Sequence, residues 1–395
     1  MLSFICKIMF DWKTLLKRMM IFLIMAIVII LPKIKTDDEI MEESRNGALM
    51  TLQVNKRFEN LESSGGERGK DYQQFYEFIH NNILASQSLL DNNLSDYIKY
   101  SSNAAEYGET VYENFPEFFG YGSIAMEVDN VPFKTAKENA RRSFIRYYHK
   151  LDFYNSKLKE LSFSDVLRSD IYEIIGENNL FSNFFLILFL IVVLMMDIIL
   201  RFEVKDSIWR TIPKSFVSYQ IKKKLISTCL VFGMQIFVAM LVFVILLLTK
   251  AINPHIVPSI LIFSMNNEVT SVSVFNFMIV ISIIVFLLDL LFIMMATILF
   301  QITKSKVFSS SLILFVLFLE RMMIHSSMYK HFPALSPIYY IDTVSALNGN
   351  KSLIYNYPFS FMDACKSIFM YICLLFILLI LIIKQQDRRC KYGNK

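Results

Sequence analysis

The sequence is poor in the residues that build redox, metal and nucleotide sites. Its five cysteines are Cys6, Cys229, Cys365, Cys373 and Cys390. None lies between Lys33 and Asn179, so that polar stretch cannot be stapled by disulfides and must fold on packing alone. No Cys-x-x-Cys pair occurs, which removes the common zinc spacing, and the cysteines read as ordinary thiols. The five histidines, His80, His149, His255, His325 and His331, are scattered. Only His325 and His331 approach a metal-type grouping, and no histidine stands beside a serine in a nucleophile turn. Neither Gly-x-x-x-x-Gly-Lys-Ser/Thr nor Gly-x-Gly-x-x-Gly is present, which argues against a nucleotide site of known type in this chain. Eleven glycines and nine prolines leave few turn or hinge positions. The chain is therefore expected to be no enzyme and to bind no cofactor or metal. Lys and Arg total 40 against 35 Asp and Glu, and the excess clusters beside apolar runs. That placement belongs to membrane flanks, and no nucleic-acid partner is expected.

What is present is a set of apolar blocks. Six are read as spans: Met19 to Pro32, Leu180 to Leu200, Leu225 to Leu248, Val274 to Phe300, Phe308 to His325, and Ser367 to Ile383. All but the first approach the ~20 apolar residues that a bilayer requires. The first reaches that length only with Leu15 to Met20 added. Leu31-Pro32-Lys33 offers no small-x-small cleavage site, so this span is expected to stay uncleaved. Upstream, Leu2, Ile5, Ile8, Met9, Trp12, Leu15 and Leu16 recur at helical spacing with Lys7, Lys13 and Lys17 between them. That pattern is an amphipathic helix lying in the membrane interface. The fold class read from this spacing is an all-α polytopic membrane protein. It has six transmembrane helices and a mainly helical extracytoplasmic domain between the first and second. Residues 1–18 form the interfacial helix, 19–32 the first span and 33–179 the domain. Residues 180–383 hold the other spans, with a loop at 201–224, and 384–395 form a basic tail.

Loop charge sets the orientation. Residues 201–224 carry Arg201, Lys205, Arg210, Lys214, Lys222, Lys223 and Lys224 against Glu203 and Asp206. The tail carries Lys384, Arg388, Arg389, Lys391 and Lys395 against Asp387, and Lys304 and Lys306 follow the fourth span. With six spans, these segments and the N-terminus fall on one side, which the positive-inside rule makes the cytoplasm. The localisation expected is the cell membrane, multi-pass, with both termini cytoplasmic. The Lys-, Asn- and Ile-rich, Gly-poor vocabulary leans toward a bacterial chain. The 33–179 stretch has 17 basic and 25 acidic residues, as expected on the far side.

That stretch reads as helix. Tyr72, Phe75, Phe78, Ile79 and Ile83 recur three and four apart, as do Phe144, Tyr147, Tyr148, Leu151, Tyr154 and Leu158. Ser63-Ser64-Gly65-Gly66 is a break, and Pro116 to Pro132 is an irregular stretch. Its many Tyr and Phe residues either form the core of a small domain or a surface that meets peptide or lipid. The triplet Asn93-Leu94-Ser95 is a glycosylation sequon that arises readily by chance.

Asp289 sits mid-span in Phe286-Leu287-Leu288-Asp289-Leu290-Leu291. A lone carboxylate there costs about 3 kcal/mol on insertion scales, so it should face protein or water. Two readings stand side by side: a translocation-pathway residue, or a helix-to-helix hydrogen bond with Gln235 of the third span. Glu320 and Arg321 lie toward the outer end of the fifth span and read as snorkelling or paired groups. Asp197 lies near the cytoplasmic face.

The 201–224 loop reads by itself as a short amphipathic helix with a basic tail. Here the chain resembles the type-2 ATP-binding-cassette permeases. After the second span that family places an acidic residue, then Gly-Thr/Ser-Ile, a Gly or Pro, a Ser/Thr-Arg, and a Lys opening the third span. Glu203, Ser207, Ile208, Ile221 and Lys224 fall at or near those places. Asp206 stands where Gly is usual, Glu203 is shifted by about one position, and Ser218 replaces the Arg. The resemblance implies that a second permease pairs with this one, as a homo- or heterodimer. Two cytoplasmic ATPases, which carry the ATP and Mg²⁺, dock beneath the pair. It implies a coupling segment of about Ser207 to Tyr219, with Glu203 as the membrane-border acid. Ser207, Ile208, Trp209, Arg210, Pro213 and Ser215 are its candidate contacts, and Trp12 and Lys13 belong to an interfacial elbow. The function expected is the permease of an exporter, with an antimicrobial or bacteriocin-like peptide, or another amphipathic molecule, as cargo. The acidic insert suits a cationic amphipathic peptide. Two other classes stay open: a membrane sensor or immunity protein without transport, and a gradient-driven transporter using Asp289.

Overall fold

The structure is a computed structural model that describes residues 20–21, 35–62, 70–114, 133–168, 184–204, 216–250, 252–253, 255–264, 268–325, 336–355, 357 and 359–392. The chain is mostly helical, with one two-stranded sheet among the described residues.

Five helices form a module before the first long apolar helix that is described. They are α1 (Asp37–Glu62), α2 (Lys70–Leu90), α3 (Leu94–Asn114), α4 (Phe133–Ser156) and the short α5 (Phe163–Leu167). Their ends follow from local chemistry. Thr36 accepts from the Glu39 amide at 3.2 Å while Glu39 accepts from the Thr36 amide at 2.8 Å, a reciprocal cap. Asp37, Asp38 and Glu39 then fill the first turn, where the helix dipole favours acids. Between α2 and α3 the chain turns at Asn92, with φ 57°. Asn93 then caps α3 by accepting from the Asp96 amide at 3.2 Å, so the residue of the sequon has a structural task. Ser162 and Asp165 form a second capping box at α5.

The apolar periodicity of α2 is spent on packing. Phe78, Ile79 and Ile83 meet Leu52 of α1 and Ala104 and Val111 of α3. In α4, Leu151 and Tyr154 are buried, but Tyr147 and Tyr148 are 38% and 40% exposed. The aromatic row read as one face is therefore divided. Its other residues share the helix with Arg142, Arg146 and His149, which turn toward a different neighbour. Where α3 crosses α4, a Cβ on Gly108 would lie 2.7 Å from the Phe144 ring, so glycine permits the approach.

The second part is a helix bundle of α6 (Phe184–Val204), α7 (Phe216–Leu248), α8 (Val274–Thr303), α9 (Lys306–His325) and α12 (Phe361–Tyr392). Three stretches, Gln220–Leu248, Val274–Thr303 and Phe361–Ile382, are long and apolar enough to cross a membrane, and Lys306–Leu319 is a shorter apolar helix. These mark a membrane-associated chain. The hub is α8, which packs on α6, α7, α9 and α12. Its centre is buried through Ile284, Leu288, Ile293 and Ala296, and outward residues such as Phe275, Met240 and Leu381 are exposed. Apolar side chains facing out from an apolar bundle are what lipid contact requires.

Two of the connections between these helices carry secondary structure among the described residues. The strands β1 (Ser259–Phe263) and β2 (Val269–Ser273) pair antiparallel, Ser259 opposite Ser273 and Phe263 opposite Val269. This hairpin departs from the all-α expectation. Val269-Thr270-Ser271-Val272-Ser273 is rich in β-branched residues, which suits a pleated strand. The other connection holds a 3₁₀ turn at Pro337–Tyr340, α10 (Thr343–Leu347) and α11 (Asn350–Tyr355).

Helix bounds also differ from the sequence reading. α7 begins at Phe216 rather than Leu225, so Lys222, Lys223 and Lys224 belong to the helix rather than to a loop. Lys223 and Lys224 are 8% and 2% exposed, not a solvated basic tail. α12 likewise extends beyond the expected span at both ends, from Phe361 to Tyr392. The first span, the breaks at Ser63–Gly66 and Pro116–Pro132, and residues 1–18 fall outside the described residues, apart from Met20 and Ile21.

Candidate functional site

Two polar arrangements stand out, one inside the bundle and one at its end. The first centres on Asp289. The residue lies midway along α8, with about 21 Å of helix on either side. It is fully buried. Gln235 of α7 donates its Nε2 to Asp289 Oδ1 at 2.9 Å and to the Leu188 carbonyl of α6 at 3.1 Å. One amide therefore joins three helices. Asp289 Oδ2 and Gln235 Oε1 have no hydrogen-bond partner, although both are buried. Phe189 of α6 meets Phe292 of α8 edge to face, with ring centroids 5.5 Å apart, and packs this level shut. Farther along the same α7–α8 contact, Lys224 Nζ donates to Thr297 Oγ1 at 2.8 Å, and Thr297 donates to the Ile293 carbonyl at 2.8 Å. Lys224 at this contact was not legible in the sequence: its Lys-Lys-Lys context reads as solvated throughout, whereas only Lys222 of the three is exposed.

The second arrangement is a clasp in which α4 grips the hairpin connection and the α10–α11 connection of the bundle. Arg142, Arg146 and His149 lie four and three apart, on one helix face. Arg142 has no exposed surface and donates to the Gly349 carbonyl at 2.7 Å and the Ser264 carbonyl at 3.3 Å. Arg146 donates to Asn350 Oδ1 at 2.8 Å. Both guanidinium groups lie over the Phe263 ring, at 5.1 and 4.8 Å from its centroid. Burial, then the like charge of Arg142, pulls Arg146 down to about 10, which leaves it charged at neutral pH. His149 Nε2 meets Ser259 Oγ at 2.9 Å.

The turn that receives Arg142 is specific. Gly349 has φ 89°, and a Cβ there would lie 2.0 Å from the Phe263 carbonyl oxygen. The Phe263 amide donates to the Asn348 carbonyl at 3.2 Å, which ties the hairpin to the α10–α11 connection. A neighbouring contact adds to the clasp. Asn253, fully buried, donates to the Tyr154 hydroxyl at 2.5 Å and the Asp165 carbonyl at 2.6 Å. Asp37 pairs with Arg168 and, at 3.4 Å, with Lys250. Hydrogen bonding from Arg168 holds the Asp37 carboxyl below its usual range. Burial opposes this, while Ser164 and the nearby charges add to it.

Of the residues singled out in the sequence, Asp289 and Gln235 are thus brought together. Glu203 lies in the last turn of α6, at the opposite end of that helix from Phe184. Ser207, Ile208, Trp209, Arg210, Pro213 and Ser215 fall outside the described residues, as do Trp12, Lys13 and His331. Asp197 lies in α6, and Glu320, Arg321 and His325 lie in α9. Sequence reasoning missed Arg142, Arg146 and Asn253. The i, i+4 arginines in an otherwise aromatic helix were the available signal. Among the described residues no group of three or more His, Cys, Asp or Glu is placed to hold a metal ion. No protein-family model, curated protein or solved structure matches this chain.

Proposed function

We propose that the chain is the membrane-spanning permease subunit of an ATP-driven exporter. It crosses the bilayer six times, holds both termini in the cytoplasm and carries the α1–α5 module outside. The observation that carries this reading is the clasp. Residues of the module, of the 250–273 connection and of the 336–360 connection meet at one end of the bundle. An even count of spans with the module outside requires those three segments to share a side. The basic segments 201–224, 304–306 and 384–395 attach to the other ends of the same helices, where the positive-inside rule puts the cytoplasm.

On this reading the work is done by a partner. A cytoplasmic ATPase holding ATP and Mg²⁺ docks on the segment from Glu203 through Ser215, beside the Trp12 and Lys13 helix. A second permease completes the transporter. Movement of that segment is passed directly to α6 and α7, which it joins. The Gln235 amide bonds α7 to both α6 and α8, and the Lys224–Thr297 contact repeats the link between α7 and α8. Because α8 touches every other described helix of the bundle, a shift of α7 is shared by all of them. At the far end the clasp transmits that shift to the module. The cargo suited to an acidic, aromatic-rich module is a cationic amphipathic peptide.

Topology is tested by thiol labelling in a variant whose five native cysteines are replaced. Lys99→Cys, on the exposed face of α3, should react with a membrane-impermeant maleimide added to intact cells, and Lys395→Cys should react only after lysis. The reverse pattern sinks the orientation. Function is tested by purifying the chain from its native host. An ATPase should copurify, and Trp209→Ala with Arg210→Ala should release it. Purification without an ATPase counts against the permease reading.

A further inference from the structure

Between α1, α2, α3 and α4 lies a cavity of about 320 Å³. It is half open to the surface and would hold about ten waters. Its wall is of mixed character. Phe144 and Phe78 supply apolar surface, and Tyr97 and Tyr147, whose hydroxyls stand 3.5 Å apart, join α3 to α4 beside it. No residue lining it carries a charge.

Two hydroxyls set the cavity apart from a packing defect. Ser86 of α2 and Ser101 of α3 line it and are 8% and 7% exposed. A helical serine commonly bonds back to the carbonyl four residues earlier, as Ser88 does to Leu84 at 2.8 Å. Neither Ser86 nor Ser101 has a hydrogen-bond partner among the described residues. Both hydroxyls open into the cavity and are free to bond an occupant there. The position of the Phe144 wall is set by Gly108, which leaves the ring room to approach α3.

We propose that this cavity binds a small uncharged amphipathic molecule, an aromatic or branched aliphatic body bearing one or two hydroxyl or carbonyl groups. Apolar body and ring walls match in character, and Ser86 and Ser101 supply a donor and an acceptor each. A charged ligand is disfavoured because nothing in the wall pairs with it. The size is at the lower end of the range for ligand pockets, which is about 300–1,000 Å³. This proposal stands independently of the transport reading.

The test uses the full chain in lipid nanodiscs, with 4-fluorobenzyl alcohol and 4-fluorobenzoate as probes of equal shape and different charge. Fluorine NMR line broadening is read against empty nanodiscs. The alcohol should bind saturably, and the carboxylate at least about tenfold more weakly. Ser86→Ala with Ser101→Ala should lower the alcohol's affinity by about tenfold, since two hydrogen bonds are lost. Ala105→Phe, which fills the space, should abolish its binding. The serine variant carries the test if the filled variant does not fold. Absence of saturable binding of the alcohol overturns the proposal. So does equal binding of both probes, or full affinity in either folded variant.

Discussion

Asp289→Asn should leave the bundle nearly as stable as the native chain, whereas Asp289→Ala should weaken it. The asparagine keeps the shape and offers the same carbonyl to Gln235 Nε2, now 2.9 Å from Asp289 Oδ1. It also places an amide donor where Oδ2 has no partner. Alanine removes the acceptor and leaves Gln235 bonded to the Leu188 carbonyl alone. Hydrogen bonds between membrane helices average about 0.6 kcal/mol and reach about 1.7. The space vacated by the carboxyl adds roughly 1 kcal/mol in a packed bundle. The alanine variant should therefore lose about 1–3 kcal/mol, and the asparagine variant no more than about 0.5 kcal/mol. Equilibrium unfolding in mixed micelles, with far-UV circular dichroism as the signal, measures both. Equal loss in the two variants would refute the hydrogen-bond account and point to a requirement for the carboxylate itself. A native alanine variant would show that the node does not hold the helices together.

The clasp is tested by Arg142→Ala, which leaves the Gly349 and Ser264 carbonyls without their buried donor and should cost about 2–4 kcal/mol. Arg142→Lys cannot form the same fork, and hydrogen exchange over 259–273 and 343–355 should rise in both variants, more in the alanine one. Gly349→Ala should destabilise by at least about 2 kcal/mol, because it combines a positive φ with a Cβ that meets a backbone oxygen. Its melting temperature should fall below that of Gly47→Ala, where a Cβ has open space. Asp37 gives a pH dependence. Its folded carboxyl titrates below the ordinary 3.8, so its contribution is fully present well above that pH and is lost as pH falls through the lowered value. Hydrogen exchange near Arg168 and Lys250 should rise on acidification below about pH 4 in the native chain, and Asp37→Asn should flatten that rise.

Legibility in the sequence followed the range of the interactions. The α2 and α4 helices were readable because amphipathic periodicity is set by neighbours within four residues. The Asp289–Gln235 pairing was readable as one option, since a mid-span carboxyl must find a polar partner and few are available in an apolar bundle. The hairpin was not legible because its two strands are five residues each, lack a clean alternation and lie between much stronger apolar signals. The start of α7 was misplaced for a related reason. Lysines were assigned to a loop by charge, yet Lys224 is buried against Thr297, where a long aliphatic stem and the bond to the threonine hydroxyl favour that position.

The sequence by itself determined that this chain is built of long apolar helices and one polar helical insert, since hydropathy and period are local properties of the chain. Only the tertiary structure decided that α8 is the hub, that Gln235 serves both Asp289 and Leu188, and that Arg142 joins the insert to Gly349 and Ser264. Those partners stand 54, 47, 207 and 122 residues apart along the chain. Pairings across such separations are chosen by which helix faces meet, and no local pattern encodes that choice.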